Sequence, residues 1–368
     1  MTATAENDAD LLRREVRDVT SRWQTEGRYT PRCDNWLRGF DLKFSKELAN
    51  RWLIGVSWPT EFGGRGLTAT ARLVVAEELL RAGAPVAAHW VGDRQIGPAI
   101  LRHGTAELKH EILPGIVRAD NIFCLGMSEP NAGSDLAAVA TTATRVDGGW
   151  RIRGRKTWTS GAHQATHMYL LARTDRSTNR HDGLSEFVLD MNADGVEVTA
   201  IVDLTGEHHF NEVLLDDVFV PDHRVLGTVG NGWKQVVEQL SFERGGPERF
   251  LSSYPLLAQL IDEDRIGAAT YGVVGELIAR LTVLRRMAYD VARSIDAGHA
   301  PIQQSATLKY LGNIFEIDVI EAARTVLGPA MNNPTSTFGH AVLSAPGFSI
   351  RGGAAEVLLG LIARQERQ

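Results

Sequence analysis

The hydrophobic and polar positions change period twice along the chain. Up to about residue 121 the spacing is helical. TARLVVAEELLRAG (70–83) sets Leu73, Ala76 and Leu80 on one stripe, leaves Glu77 and Glu78 off it, and stops at Gly83-Ala84-Pro85. WPTEFGGRGL (58–67) is a loop between helices, rich in glycine and aromatic residues. From about 122 to 228 the period is two. In GGWRIRGRKTWTS (148–160), Trp150, Ile152, Gly154, Lys156 and Trp158 share one face, and Arg151, Arg153 and Arg155 share the other. Four further strand-like runs, between His167 and Pro221, are separated by turn residues such as Asp182-Gly183 and Asp194-Gly195. Short strands so punctuated predict a compact β domain, a barrel or a sandwich.

After GTVGNGW (227–233) helical spacing returns. Val273, Leu277, Leu281, Leu284, Ala288 and Val291 form one long stripe ended by Gly298 and Pro301. A second helix is expected from Ser305 to Leu327, stopped by Gly328-Pro329, and a third from about Ala354 to Arg367. The expected fold class is α+β in three domains: helical over 1–121, β over 122–228, and a helical bundle over 229–368.

Composition narrows the function classes. The chain has 368 residues, 43% hydrophobic and 23% charged, with a formal charge of −6, so no general basic surface invites nucleic acid or anionic membrane. No apolar run reaches the ~18–20 residues of a membrane span. MTATAENDAD has neither the basic start nor the apolar core of a secretory signal. Cys33 and Cys124 stand in no metal-ligand spacing, and the histidines form no ligand pattern; His208-His209 reads as a solvated strand end. A reduced, cytoplasmic protein with no metal is expected.

Three stretches carry candidate chemistry. FCLGMSEPNAGSDLAA (123–138) is a tight loop of small residues with hydroxyls at Ser128 and Ser134. It is either a plain turn or a place where backbone N–H groups approach a flat or phosphorylated ligand. KTWTS (156–160) offers Trp158 beside Thr159 and Ser160, either a core tryptophan or a cover for a planar ring whose polar edge the hydroxyls bond. SFERGGPERF (241–250) holds two Glu-Arg pairs around Gly-Gly-Pro, poor material for a helix interior. There is no G-x-S-x-G elbow, no Walker A loop and no G-x-G-x-x-G after a strand.

Together WPTEFGG, MSEPNAGSD, GRKTWTS, VFVPDHRVLG with GNGW, and GGAAEVLLGLIAR resemble the acyl-CoA dehydrogenase family of flavoproteins over nearly the whole chain. The resemblance implies an N-terminal helical domain, a middle β domain and a C-terminal four-helix bundle, usually in a tetramer. It also implies FAD bound without a Rossmann motif. Flavin contacts fall on Leu125, Met127, Ser128, Trp158, Thr159 and Ser160, and CoA contacts on Ser134 and Arg244. Implied partners are an acyl-CoA substrate, an electron-transferring flavoprotein as acceptor, and a homo-oligomer or a related chain.

The sequence departs from the family pattern in three places. The glutamate of a C-terminal Y-E-G-T stretch is replaced by Gly352 in Ile350-Arg351-Gly352-Gly353-Ala354. The R-x-x-F-G stretch is not recognisable between 244 and 270, and the Q-x-x-G-G stretch survives only as Thr325-Val326-Leu327-Gly328-Pro329. Counted from Gly232-Trp233, Glu243 falls where isovaleryl- and long-chain-type members place their base, and those members also lack the C-terminal glutamate. Glu243 is therefore the expected catalytic base. Burial would suit its carboxylate to proton abstraction near neutral pH. Glu248, about 140° round a continued helix, is expected to be a surface or interface charge facing away from Glu243.

Two alternatives to an active dehydrogenase remain: a non-catalytic or half-site subunit of a mixed complex, and a flavin oxidase or hydroxylase relative. Flavin colour with reduction by acyl-CoA in the purified chain, and the rate of reoxidation by oxygen, separate the three. The acyl group leaves no motif.

Overall fold

The structure is a computed structural model and describes residues 3–176, 179–262, 268–327 and 333–365. The helical segment comprises α1 (Ala3–Thr25), α2 (Asn35–Arg38), α3 (Leu42–Asn50), α4 (Ala69–Arg81), α5 (Ala87–Val91), α6 (Gly97–His103) and α7 (Ala106–Val117). Eight strands follow: β1 (Phe123–Gly126), β2 (Thr142–Val146), β3 (Gly149–Lys156), β4 (His167–Arg173), β5 (Leu184–Asp190), β6 (Val196–Val202), β7 (His208–Pro221) and β8 (Val225–Leu226). The chain ends in α8 (Gly232–Arg244), α9 (Tyr254–Asp262), α10 (Ala268–Asp296), α11 (Ile302–Leu327), α12 (Thr337–Phe348) and α13 (Ala355–Gln365). The expected Gly328-Pro329 stop and the end at Arg367 lie outside the described residues.

Two compact units share these elements. One takes residues Leu42–Arg65 and Ala88–Gln239. Its strands pair as β6-β7-β3-β2-β4-β5-β8, with β1 parallel on β4. One face of the sheet buries Trp150, Ile152, Met168, Leu170, Phe187, Leu189, Val213 and Val218. The period-two pattern of β3 holds: Trp150, Ile152 and Lys156 are buried and the three arginines exposed. Trp158 departs from it. The strand ends at Lys156, and Trp158 turns into the left-handed region (φ 57°), so its indole leaves the buried face and is 58% exposed. His209 departs too: it is buried while His208 is exposed, because their strand alternates faces.

The other unit takes Met1–Asp41, Gly66–Ala87 and Leu240–Gln368. Here α11 packs against α9, α10, α12 and α13. Within α10 the inward stripe is Val274, Leu277, Leu284, Ala288 and Val291; Val273 faces outward, because the buried face runs through 274 rather than 273. In α4, Glu77 and Glu78 are not on an open face. The helix packs against both α1 and α10, so almost every position is covered. The two carboxylates are instead paired, Glu77 with Arg285 (2.7 and 3.0 Å) and Glu78 with Arg17 (2.8 and 2.9 Å). Cys33 and Cys124 are both free and buried.

Candidate active site

In the strand-bearing unit, Leu125, Met127 and Ser128 lie half-buried where β1 runs out. The loop beyond them is tied at its neck. Thr157 N donates to the Ser128 carbonyl (2.9 Å), and Lys156 Nζ donates to Glu129 Oε1 (2.8 Å), Leu171 O (2.8 Å) and Met127 O (3.3 Å). Glu129 in turn accepts from Ala140 N (2.7 Å) and Thr141 N (2.9 Å), so it closes the 129–141 excursion. Burial pushes the Lys156 ammonium down to about 8, and the Glu129 carboxylate limits the fall. Burial works against the Glu129 charge as well, but Lys156 and the two N–H donors hold that carboxyl below its ordinary value. The sequence reading missed this pair. Its only trace is a lysine on a covered strand face.

The other strap is Trp158-Thr159-Ser160. Thr159 is pinned on both sides by Asn211: its N–H donates to Asn211 O (3.0 Å) and its carbonyl accepts from Asn211 Nδ2 (2.9 Å). Asn211 Oδ1 also receives His163 Nδ1 (3.2 Å) and His208 Nε2 (2.7 Å), whose rings stack at 3.9 Å. The Trp158 indole rests edge-on against Phe210, 5.6 Å between centroids. The Thr159 hydroxyl is buried and has no protein partner. An orphaned buried hydroxyl costs stability unless something bonds it, and a large indole held exposed in a rare backbone conformation has the same explanation. A flat, apolar group with a polar edge satisfies both, so these residues fit a flavin ring. Ser134 is exposed on the loop between the straps.

In the bundle unit, α8 ends at Arg244 because Gly245, Gly246 and Pro247 cannot continue it. A Cβ at Gly245 would stand 2.6 Å from Val291 Cγ1 and 2.8 Å from the Ser305 hydroxyl, so only glycine fits. Because the helix stops, Glu248 does not swing to the opposite side and is not a surface charge. It is 2% exposed, on a short 3-10 turn (Pro247–Arg249), and stands 3.7 Å from Arg249 Nε. The same arginine holds Glu243: Arg249 Nη2 donates to Glu243 Oε1 at 2.6 Å, and the Glu243 side chain is nearly buried. Arg249 and Arg351 both stand by the Trp36 ring, at 5.7 and 4.9 Å, and Arg351 pairs with Asp34 at 2.7 Å.

Gly352 lies against this cluster. Its φ is +69°, and a Cβ there would stand 2.9 Å from Glu243 Oε1, 3.1 Å from Lys309 Cε and 3.3 Å from Arg249 Nη1. Arg244 Nε donates to the Gly352 carbonyl at 2.9 Å. Lys309 and Arg249 were not singled out from the sequence; Lys309 sits on a stripe of α11 that also buries Ser305, Asn313 and Glu316. That polar spacing on an otherwise apolar helix is the signal that could have found it.

Comparison with known proteins agrees with the architecture. Family models match three segments: the acyl-CoA dehydrogenase N-terminal domain (residues 6–120), middle domain (124–218) and C-terminal domain (269–366). The chain is 34% identical over 336 residues to acyl-CoA dehydrogenase IpdE1 of Mycobacterium tuberculosis, covering 88% of this chain and 86% of that protein. Among solved structures it is similar to the Tcur3481-Tcur3483 steroid ACAD, with TM-score 0.85 and 25% identity over 100% of this chain and 98% of that one. It is also similar to the ChsE4-ChsE5 complex of Mycobacterium tuberculosis, with TM-score 0.80 and 25% identity over 99% and 97%. The chain belongs to the acyl-CoA dehydrogenase family of FAD-dependent oxidoreductases.

Proposed function

We propose that this protein removes two hydrogens from an acyl-CoA thioester to give the trans-2-enoyl-CoA, with Glu243 as the base. The observation that carries the reading is the position of Glu243 Oε1, 2.9 Å from where a Cβ at Gly352 would stand. In the family pattern that second position bears the C-terminal glutamate. A carboxylate delivered by α8 therefore reaches the place that Gly352 leaves free.

FAD, when bound, accepts the hydride from the β carbon. Leu125, Met127 and Ser128 would hold one side of its ring, Trp158 would cover a face, and Thr159 and Ser160 would bond its polar edge. Ser134 and Arg244 engage the CoA side of the thioester. Glu243 takes the α proton, and Arg249, donating to it at 2.6 Å, holds the carboxylate in one rotamer. The expected electron acceptor is an electron-transferring flavoprotein. The chain assembles as a dimer or tetramer, since Tyr271, Val283, Leu311, Ile314 and Leu359 leave apolar side chains exposed on the bundle helices.

Glu243→Gln should keep FAD and acyl-CoA binding and lose flavin reduction by several orders of magnitude. Near-parent reduction in a stopped-flow trace would move the base elsewhere. A second reading, one chain of a paired dehydrogenase, is favoured by the likeness to the ChsE4-ChsE5 complex. A chain that is colourless alone and takes up flavin only with a related partner would establish it. A screen of acyl-CoAs that includes ring-bearing acyl groups tests the substrate class, since one structural relative is a steroid ACAD.

A further inference from the structure

Lys156 is fully buried, and its Nζ has three acceptors: Glu129 Oε1 (2.8 Å), the Leu171 carbonyl (2.8 Å) and the Met127 carbonyl (3.3 Å). A neutral amine has two N–H bonds, so three acceptors call for the ammonium. The Met127 contact lies on the segment that is read as holding the flavin ring. Met127 C=O and Ser128 N–H belong to one peptide unit, and no cis peptide bond occurs among the described residues, so the two point in opposite directions. With the carbonyl turned in to the buried lysine, the N–H is turned out. The next carbonyl, Ser128 O, is held by Thr157 N at 2.9 Å. The Ser128 N–H is thus fixed from both sides, and it has no protein partner among the described residues.

We propose that Lys156 is a positioning residue for the flavin: through the Met127–Ser128 peptide it aims and polarises an N–H donor at the ring, and so makes the bound flavin easier to reduce. The inference rests on the reading that the ring lies against Ser128. A hydride brings the ring one hydrogen and two electrons, so the ring gains one negative charge. A donor already aimed at that charge, and made more positive by an ammonium behind its carbonyl, needs no reorganisation when the charge appears. Burial keeps water from screening the lysine's field at the peptide.

The surroundings of Lys156 keep it charged. Burial pulls the ammonium down to about 8, and Glu129, on a different N–H from the Met127 carbonyl, resists the fall. The other charged groups on the neighbouring strands are engaged elsewhere. Arg173 on β4 donates to the Val139 and Ala137 carbonyls (3.2 and 2.9 Å), and Arg155 and Glu212, on β3 and β7, pair with each other at 3.3 Å. A lysine that only closed the 129–141 loop would leave the flavin's potential where it is.

The midpoint potential of the flavin-loaded protein tests this, and it is measured without acyl-CoA, so nothing in it depends on Glu243. Lys156→Met alone would strand Glu129, so it is combined with Glu129→Gln, which keeps an acceptor for the Ala140 and Thr141 N–H groups. The pair carries no net charge before or after. The equilibrium constant for flavin reduction should fall at least about tenfold in the double variant, or about 30 mV for a two-electron couple. An unchanged or higher potential overturns the proposal. The second measurement uses the parent alone and stands even if the double variant loses its flavin. If the ammonium favours the reduced ring, reduction must hold the proton on Lys156 more firmly. Above about 8, where the lysine of the oxidised protein loses its proton, reduction then takes up a proton and the potential falls more steeply with pH. A plot without that added steepness, or one with the same break in the double variant, also overturns the proposal. The position of the ring is judged separately: if Trp158→Ala and Thr159→Val bind FAD as tightly as the parent, it is the placement of the flavin that has failed.

Discussion

Two of the chain's six lysines, Lys156 and Lys309, are fully buried, and they have opposite surroundings. Lys156 has a carboxylate at 2.8 Å and two carbonyls, and burial takes it only to about 8. Lys309 has two neutral acceptors and two arginines for neighbours, and it falls to about 6. Burial is common to both, so the difference is the partner. A buried amine with a carboxylate partner keeps its charge more readily; one with only neutral acceptors is pushed further toward the neutral form.

Breaking each lysine should separate the two settings. Lys156→Met leaves Glu129 buried and unpaired, so the largest loss is expected there, about 3–5 kcal/mol of stability. Thermal unfolding and flavin content should both fall, because the 129–141 loop loses its neck. Lys309→Met removes an unpaired amine from an apolar helix and should change stability by less than about 1.5 kcal/mol in either direction. Equal losses in the two variants would erase the distinction.

Gly352→Ala sharpens the bundle side. It forces a side chain into a left-handed position and sets a methyl 2.9 Å from Glu243 Oε1, so flavin reduction should drop more than flavin binding. Retention of the full reduction rate would mean that Glu243 tolerates displacement and is not held for chemistry. On the flavin side, Trp158→Ala should weaken FAD retention with little loss of fold, since the indole is exposed. Thr159→Val, which removes a hydroxyl without a protein partner, should do so more mildly. Unchanged flavin affinity in both would remove these residues from the cofactor site.

The smallest effect concerns pH. Burial raises Glu186, beside Tyr169 on the sheet, and Glu316 in the bundle to about 7 each. The folded protein therefore binds more protons than the unfolded chain between about 4.5 and 7. Stability from these groups is present at low pH and is lost as pH rises through that window. Glu186→Gln should flatten the slope in a series of unfolding midpoints against pH; an unaltered slope would place the titration elsewhere.

The legible parts were those set by local rules. Strand β3 follows its alternation to Lys156, and α4, α10, α11 and α13 lie within a few residues of their periodic runs. The resemblance to the acyl-CoA dehydrogenases came from motifs in their order. Where the sequence misled, a neighbour remote in the chain decided. Glu77 and Glu78 stand off the apolar stripe of α4, yet α1 and α10 cover them, and Glu248 looked peripheral until the helix ended and Arg249 drew both glutamates to one guanidinium.

By itself the sequence determined the family, the helix–strand–helix order and the candidate base, because periodicity, turn residues and motif spacing are written along one dimension. Only the tertiary structure decided what surrounds each buried charge. That is settled by side chains far apart in sequence: Glu129 meets Lys156, while Arg249, Arg351 and Gly352 meet Lys309. Desolvation and Coulomb interaction depend on those distances through space, and no spacing along the chain contains them.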